Sequence, residues 1–282
     1  MSVMKDITQR IANVSTTKQI MKAMDMIAAS KLQKARARLE VARQLRGEVA
    51  GIAENLKASE LAKGSIYIRP RKVEKTAYVI ITSDKGLCGS YNYNISELAL
   101  AHMNEGRNEQ ILVIGTKGKD YFSRRNKNIR TSLVNQPEAR LYEETELLGG
   151  LVNSLFVSGE ADEVFLAYTK FGSTLSYEPR VERLLPLLSG TETPMPDIDM
   201  KYEPNIGAFL DQAIPLYLHT FIYAAAAESA ASEHASRMFN MSAAGKNANE
   251  IIDDLTRMYN RKRQAAITQE LSEIVGGVNI LN

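Results

Sequence analysis

Apolar residues recur at every seventh position along the first part of the chain. A heptad repeat of this kind is typical of a long helix that winds around a partner with a left-handed twist. All eight prolines lie between Pro70 and Pro215, so both ends lack the residue that interrupts helices. The repeat predicts one helix from about residue 3 to about residue 57. Its apolar row consists of Ile7, Val14, Met21, Ala28, Ala35, Ala42, Val49 and Leu56.

The companion row on the same helix face is uneven. Its apolar members are Ile11, Leu32, Leu39 and Ala53, and its charged members are Lys18, Asp25 and Arg46. On the first half of the helix, Ile20, Met24 and Ile27 widen the apolar stripe. We therefore expect this helix to meet several surfaces. At ~1.5 Å per residue it would be roughly 80 Å long, so it is predicted to protrude from a compact domain.

A second apolar stripe, with steps of three and four residues, runs through the last part of the chain. Such steps place side chains on one face of a helix. Neither terminal helix can bury its stripe alone, so we predict that the two helices form an antiparallel pair. The members of this stripe are Met241, Ala244, Ala248, Ile251, Leu255, Met258, Lys262 and Ala265.

Between the terminal helices, short apolar runs alternate with helix-like stretches. This alternation predicts an α/β domain with a mostly parallel sheet. The segment 191–205 contains three prolines and no periodicity, which indicates a linker. We predict three parts: an N-terminal coiled-coil helix at 1–70, a central domain at 71–205 and a C-terminal coiled-coil helix at 206–282. Strands are predicted at 76–82, 110–115, 129–135 and 163–171, an extended run at 175–187, and helices near 91–104, 117–126 and 140–158.

The charge is concentrated at one end of the chain. The formal net charge is +2, yet residues 1–46 hold ten basic and three acidic residues, a net charge of +7. This end is suited to an acidic partner. The single cysteine, Cys88, excludes an internal disulfide, and three scattered histidines do not suggest a metal cluster. A cytosolic setting fits best.

The sequence predicts no signal peptide and no membrane span. Lys5, Asp6 and Arg10 interrupt what would be the apolar core of a signal peptide, so we expect the mature protein to start near Met1. The most apolar window, residues 213–227, is shorter than the ~20 residues that a bilayer requires. This window is predicted to be a buried helix.

The segment SDKGLCGSYN, residues 83–92, follows a predicted strand and precedes a predicted helix, as phosphate-binding loops do. It lacks GxxxxGK[ST], whose lysine and hydroxyl hold phosphate and magnesium, and it lacks GxGxxG. GTKGKD, residues 115–120, is similarly incomplete. We interpret Gly86 and Gly89 as residues of a tight turn. The alternative is a nucleotide-binding enzyme, which stoichiometric nucleotide binding to the isolated chain would favour.

No other residues have the spacing of a known catalytic motif. Cys88 has no histidine nearby in the sequence and is expected to be a small buried side chain. Glu143, Glu144 and Glu146 are expected on a solvated helix face. We therefore predict no catalytic, cofactor-binding or metal site.

The basic face of residues 1–46 leaves open a scaffold that binds nucleic acid, with a steep salt dependence. No Phe or Tyr occurs in residues 1–66 to serve as a base-stacking platform. We therefore favour an acidic protein surface as the partner and expect no nucleic acid. The alternative is an ordinary solvated helix face without a partner.

Two long segments resemble a known family. IANVSTTKQIMKAMDMIAASKLQKAR (11–36) and SEHASRMFNMSAAGKNANEIIDDLTRMYNRKRQAAITQELSEIVGG (232–277) strongly resemble the gamma subunit of the rotary F-type ATP synthase. SDKGLCGSYN resembles the central domain of that family. The resemblance covers essentially the whole chain in order, and the terminal motifs are long and specific. The family commonly has threonine where this chain has Met21.

The resemblance implies a curved antiparallel coiled coil standing on a Rossmann-like domain. In the family this coil lies inside a ring of three alpha and three beta subunits, which performs the nucleotide chemistry. The chain would then be the non-catalytic central rotor stalk of a proton-translocating ATP synthase, present in one copy. The epsilon subunit and the membrane c-ring would be further partners. Its implied place is peripheral, on the cytoplasmic face of a bacterial plasma membrane.

The resemblance also implies contact residues for the alpha and beta subunits. Arg263 and Gln264 match the polar catch that the family forms with a beta-subunit loop; the alternative is ordinary exposed helix polarity. The implied contact residues are Lys22, Met24, Arg237, Arg263, Gln264, Thr268 and Glu270.

Overall fold

The computed structural model describes residues 2–103, 108–187, 202–203 and 205–280, with side chains inside 4–272. The predicted strands and helices are confirmed, with end points that differ by a few residues. Residues 191–201 and 204 of the predicted linker lie outside the described residues. The helices are α1 (Ser2–Ala58), α2 (Tyr91–His102), α3 (Thr116–Ser123), α4 (Leu141–Val157) and α5 (Ile206–Ile280). The strands are β1 (Lys75–Ile81), β2 (Asn108–Ile114), β3 (Ile129–Leu133), β4 (Glu163–Ser173) and β5 (Ser176–Leu185).

The strands form one sheet in the order β3-β2-β1-β4-β5. β1 is parallel to β2 and β4, β2 is parallel to β3, and β5 is antiparallel to β4. This order, with helices between successive parallel strands, is that of a Rossmann-like fold. Pro179 lies in β5, which is an edge strand of the described sheet, where a residue without an N–H is tolerated. The predicted α/β class and the mostly parallel sheet are confirmed.

Both faces of the sheet are covered, and β1 is buried on both. Its side chains alternate between the two faces because successive residues of a strand point in opposite directions. Tyr78 and Ile80 pack with Ile95 of α2 and Phe122 of α3. Val79 belongs to a larger apolar cluster with residues of α1, α4 and α5. The terminal helices are therefore part of the core on one face of the sheet.

The chain forms two compact units. The helix-end unit combines residues 1–29 and 237–282, and the sheet unit comprises residues 30–236. In the sheet unit, Arg43 of α1 pairs with Glu228 of α5. Later in α1, Leu56 lines the same apolar pocket as Phe209, which comes earlier in α5. The predicted antiparallel pairing is therefore confirmed in the sheet unit. The division at residues 70 and 205 stays a prediction.

The heptad row of α1 faces inward along its whole length. Every member from Ile7 to Leu56 is buried or half-buried, and the charged residues of the companion row are half-buried as well. Ile20 and Ile27, in contrast, are 56% and 57% exposed. They do not widen the buried stripe, since they form apolar surface beside it.

One of the two rows of α5 is shifted by one residue from the predicted stripe. The first row is buried at Met241 and Ala248 and half-buried at Leu255, as predicted, but its last predicted member, Lys262, is exposed. In the second row Ile252 is half-buried while Ile251 is exposed, and the same shift recurs at Tyr259 and Met258. Hydrophobicity alone cannot choose between two adjacent isoleucines, because the rotation of a helix depends on the surface that it packs against.

We predict that Leu39→Ala lowers the free energy of unfolding by about 2–5 kcal/mol, because it removes a buried side chain and leaves a cavity. Leu39 is 2% exposed, whereas Val41, two positions later on the same helix, is 68% exposed. Val41→Ala is the matched control and should change the free energy by no more than about 0.5 kcal/mol. Urea unfolding of the three proteins tests this; equal losses in both variants would contradict the assignment of the buried row.

Candidate functional site

The loop at 83–92 lies at the carboxyl end of β1, the edge where open α/β sheets bind ligands. Leu87 and Gly89 have φ angles of 62° and 56°, so the chain turns sharply into α2. The Ser83 N–H donates to Oδ1 of Asn92 at 2.9 Å. Cys88 is buried, and its Sγ accepts a hydrogen bond from Nδ2 of Asn92 at 3.2 Å. The loop is therefore a tight turn held by its own side chains.

The residues that follow β1 cap the N-terminus of α3. Oδ1 of Asp84 accepts hydrogen bonds from the Thr116 N–H at 2.9 Å and from the Thr116 hydroxyl at 2.7 Å. The Gly118 N–H donates to Oγ1 of Thr82 at 2.9 Å. Free N–H groups at a helix N-terminus attract anions such as phosphate. Here a carboxylate of the protein occupies the position that a phosphate would take.

The glycines of GTKGKD are explained by the close approach of Thr82. Gly115 has a φ of +96°, and a Cβ at this position would lie 2.4 Å from the backbone oxygen of Thr82. A Cβ on Gly118 would lie 2.7 Å from Oγ1 of the same threonine. These glycines therefore permit β1 and α3 to touch, a role that requires no phosphate.

A cavity of about 110 Å³ lies beside this cap. Its charged lining residues are Arg38, Asp84, Glu138, Glu144 and Glu233. An excess of carboxylates disfavours a phosphate there. Among the described residues, no three His, Cys, Asp or Glu side chains are grouped as a metal site would require.

Glu144 corrects one sequence expectation. It was expected on a solvated helix face, but it is buried, while Glu143 and Glu146 are exposed. Glu144 lies four residues before the buried Leu148, so both side chains project from the same face of α4. The face that packs inward therefore includes one carboxylate.

Three side chains tie α1 and α5 to the turn before α4 within the sheet unit. Nζ of Lys31 lies 2.6 Å from Oε1 of Glu138, and Nε2 of His234 lies 3.6 Å from the same oxygen. The His234 imidazole and the Lys31 ammonium lower the pKa of Glu138 to about 2. Glu138 thus stays ionised and holds two helices by one carboxylate.

Arg46 connects α1 to β4 and to the edge strand β5. Its guanidinium lies 2.7 Å from Oε2 of Glu182 in β5 and donates to the Tyr168 hydroxyl of β4 at 3.1 Å. It also lies over the ring of Phe221 in α5, 4.6 Å from the centroid. Arg46 is one of the charged residues that did not fit the companion row. The sequence signal for this contact was a charged residue within the mostly apolar companion row of α1. The partners of Arg46 could not be predicted from the sequence.

The implied contact residues all lie in the helix-end unit. Lys22 is exposed and Met24 is half-buried on α1; Arg237 is buried, and the other four are exposed on α5. The Thr268 hydroxyl donates to the backbone oxygen of Gln264 at 3.0 Å, one turn earlier. The structure therefore presents most of these side chains to a partner, and the partner contacts themselves stay a prediction.

Apolar surface accompanies these polar residues on α1. Ile20, Met24 and Ile27 are separated by four and three residues, so they project from one side of the helix. Ile20 and Ile27 are exposed, and the exposed Thr16, four residues before Ile20, lies on the same side of the helix. Exposed apolar rows with polar neighbours are typical of protein contact surfaces.

The elements described above define the class of protein: it is an α/β protein that combines a Rossmann-like sheet with two long terminal helices. A sequence model of the family described as ATP synthase matches residues 3–281. An ATP synthase gamma chain from Desulforamulus reducens is 38% identical over all of both chains, and one from Moorella thermoacetica is 40% identical over all of both. The chain belongs to this family, as one of its gamma chains.

Solved structures agree with this assignment. A chain of the central stalk and c-ring of the mitochondrial ATP synthase of Tetrahymena thermophila is 28% identical with a TM-score of 0.65. It covers 80% of this chain and 99% of its own length. A rotor chain of the Euglena gracilis mitochondrial ATP synthase has a TM-score of 0.72 at 17% identity, covers 94% of this chain and 99% of its own length, and supports the fold alone. None of the described helices is long and apolar enough to span a membrane.

We predict that Asp84→Ala lowers the free energy of unfolding by about 1 kcal/mol, because it removes the cap of α3. Asp84→Asn is the matched control, since its amide oxygen can still accept the two hydrogen bonds from Thr116. Asparagine and aspartate are similarly good caps, so this variant should stay close to the parent protein in urea unfolding. An equal loss in both variants would mean that the charge, not the cap, is what stabilises the turn.

We predict that Glu138 contributes to stability above its unfolded pKa of 4.5 and that this contribution is lost as the pH falls towards about 2. The sign follows because the folded protein lowers the pKa, so the unfolded chain binds the proton more tightly. Urea unfolding at several pH values compares the parent protein with Glu138→Gln. The difference between them should be largest near neutral pH and shrink below pH 4.5.

Glu143→Gln is the control for this measurement, because Glu143 is an exposed neighbour in α4. Its difference from the parent protein should remain small at every pH. A Glu138→Gln difference that did not change with pH would contradict the role assigned to the carboxylate charge.

Proposed function

We propose that this chain is the central rotor stalk of an F-type ATP synthase and that it has no catalytic residue of its own. Family membership over residues 3–281 is the observation that carries the proposal. The geometry at the carboxyl ends of β1 and β2 supports the second part of the proposal, that this chain has no catalytic residue. Asp84 caps the N-terminus of α3, and Gly115 and Gly118 permit its close packing against Thr82.

The mechanism requires that rotation of this chain changes nucleotide affinity in other subunits. A shaft can shift a beta subunit between two conformations only by the difference in its contact energies with them. The helix-end unit has the necessary unevenness: exposed Ile20 and Ile27 project from one side of α1, while exposed polar side chains such as Arg263 and Glu270 lie on α5. Each beta subunit would therefore meet a different surface at each angle.

The seven contact residues have distinct roles in this proposal. Met24 and its apolar neighbours form a bearing, because flexible apolar side chains tolerate sliding. Lys22 and the other basic residues of α1 within the helix-end unit attract an acidic loop over a distance, without fixed geometry. Arg263 and Gln264 form a polar catch on a beta-subunit loop. Thr268 and Glu270 on the same helix complete the exposed contact surface. Arg237 is buried, so its contact with a partner requires its side chain to turn outward.

The partners follow from the same proposal. They are the alpha and beta subunits of the ring, the epsilon subunit and the membrane c-ring, with one copy of this chain and no nucleic acid. The location is the cytoplasmic face of a bacterial plasma membrane, where the chain is peripheral. Protons are the proposed driving ion. A gamma chain from Acetobacterium woodii that is named sodium ion specific is 38% identical, so this level of similarity does not separate the two ions.

The test is ATP-driven rotation after assembly with matching alpha and beta subunits, with a probe on the sheet unit. We predict directional turning of the parent protein. The double variant Arg263→Ala, Gln264→Ala should reduce ATP hydrolysis and rotation about 5- to 10-fold, because the catch contributes coupling energy. Arg257→Ala is the control, since Arg257 is an exposed cation of the same helix that pairs with the exposed Asp254.

Two results would contradict the proposal. The chain would either fail to join the ring or join it without turning. The nucleotide-binding alternative would then be tested by equilibrium dialysis of ATP against the isolated chain. An equal loss in the double variant and in Arg257→Ala would remove the specific role of the catch.

A further inference from the structure

One edge of β4 extends beyond the strand that flanks it. β1 pairs with β4 only from Thr76 opposite Glu163 to Ile80 opposite Ala167, while β4 continues to Ser173. Beyond Ala167, the side of β4 that faces away from β5 has no strand partner within the described sheet. Buried backbone N–H and C=O groups need hydrogen-bond partners, and an open edge is a liability.

Side chains of α5 take the place of the missing strand. The Thr169 N–H donates to Oγ of Ser229 at 3.2 Å, and Oγ of Ser232 donates to the Thr169 oxygen at 3.3 Å. The Phe171 N–H donates to Oε2 of Glu228 at 2.6 Å. Three side chains of one helix therefore satisfy successive outward-facing groups of the strand.

Arg43 of α1 closes the arrangement. Its Nε lies 2.7 Å from Oε1 of Glu228 and its Nη2 lies 2.9 Å from Oε2, a bidentate pair. The same Nη2 donates to the backbone oxygen of Phe171. Glu228 is 4% exposed, and a buried charge requires partners. Here one guanidinium and one backbone N–H compensate it. Hydrogen bonding to Glu228 raises the pKa of Arg43.

These bonds specify one position of α5 on the sheet. Each residue advances a helix by about 100° and ~1.5 Å, so a slip by one residue would remove all three α5 side chains from β4. The apolar contacts on the same sheet face are non-directional and do not define a register as strongly. Charge-assisted, bidentate bonds are directional. The set thus resists both rotation and sliding of α5.

We propose that this set, the β4 clamp, transmits torque between the two long helices and the sheet, with Glu228 as its positioning residue. The β4 clamp consists of Arg43, Glu228, Ser229, Ser232 and the backbone of Thr169 and Phe171. The proposal rests on the rotor function proposed above. It goes further because it locates torque transmission at one buried carboxylate, which is not among the seven contact residues.

The experiment measures stall torque in the assembled complex, with the bead attached through Leu175→Cys. Leu175 lies between β4 and β5 and is 76% exposed, so the bead reports the sheet. Glu228→Ala should lower the stall torque at least about twofold, in the range of coupling changes produced by single residues. ATP hydrolysis under no load should change less than torque. Glu228→Gln should recover part of the torque, because its amide oxygen still accepts the Phe171 N–H.

Leu148→Ala is the control for stability. Leu148 is buried in α4, and its truncation should also cost free energy of unfolding without touching the β4 clamp. Urea unfolding measures both losses. A torque loss in Glu228→Ala that is no larger than that in Leu148→Ala, after comparison of the two unfolding free energies, would overturn the proposal.

A second measurement separates this proposal from the rotor function. Spin labels at Val41→Cys on α1 and Leu175→Cys on the sheet report their distance distribution in the isolated chain. Glu228→Ala should broaden this distribution and Leu148→Ala should not. If the parent complex did not turn at all, the rotor function would fail, while the spin-label result would still decide whether the β4 clamp sets the helix position. An unchanged distribution in Glu228→Ala would overturn the clamp.

Discussion

The constraint behind this structure is that α1 and α5 cannot bury their apolar rows by themselves. α1 has 57 residues and α5 has 75, and each presents apolar side chains at coiled-coil spacing. An isolated helix leaves that stripe in water, and burial is worth about 25 cal/mol per Å². The rows therefore require a partner. In the sheet unit each helix has two such partners. The helices pack against each other and against the face of the sheet opposite α2 and α3.

Burial explains why the helices pair, but directional bonds explain how they are placed. Apolar contact has no preferred angle, whereas Arg43, Arg46 and Lys31 of α1 each reach a carboxylate outside their own helix. These cations contact α5, β5 and the turn before α4. Such ion pairs contribute little net stability, because the water that each group loses offsets their attraction. Their larger effect is on specificity, because a misplaced helix would leave a buried charge without its partner.

Much of the fold could be predicted from the sequence, because its signals are local. Proline placement and heptad spacing predicted the bounds of α1, and alternation of apolar runs predicted the parallel sheet. The second row of α5 was misplaced by one residue, since Ile251 and Ile252 are equally apolar and only packing distinguishes them. Glu144 was misplaced because a run of acids suggests solvent, while its register with Leu148 places it inside. The partners of Arg46 and Glu228 lie in distant segments of the chain. No spacing pattern in the sequence indicates which residues will pair over such a separation.

Asp84 connects the fold to the proposed function. A parallel α/β sheet places helix N-termini at the carboxyl ends of its strands, and in nucleotide-binding proteins a phosphate satisfies them. In this chain the Asp84 carboxylate satisfies Thr116, and the adjoining cavity is lined with further carboxylates. A phosphate bound at the N-terminus of α3 would have to displace Asp84 and then tolerate the acidic lining. The same geometry that would build a catalytic crevice thus stabilises the sheet on which the terminal helices are anchored.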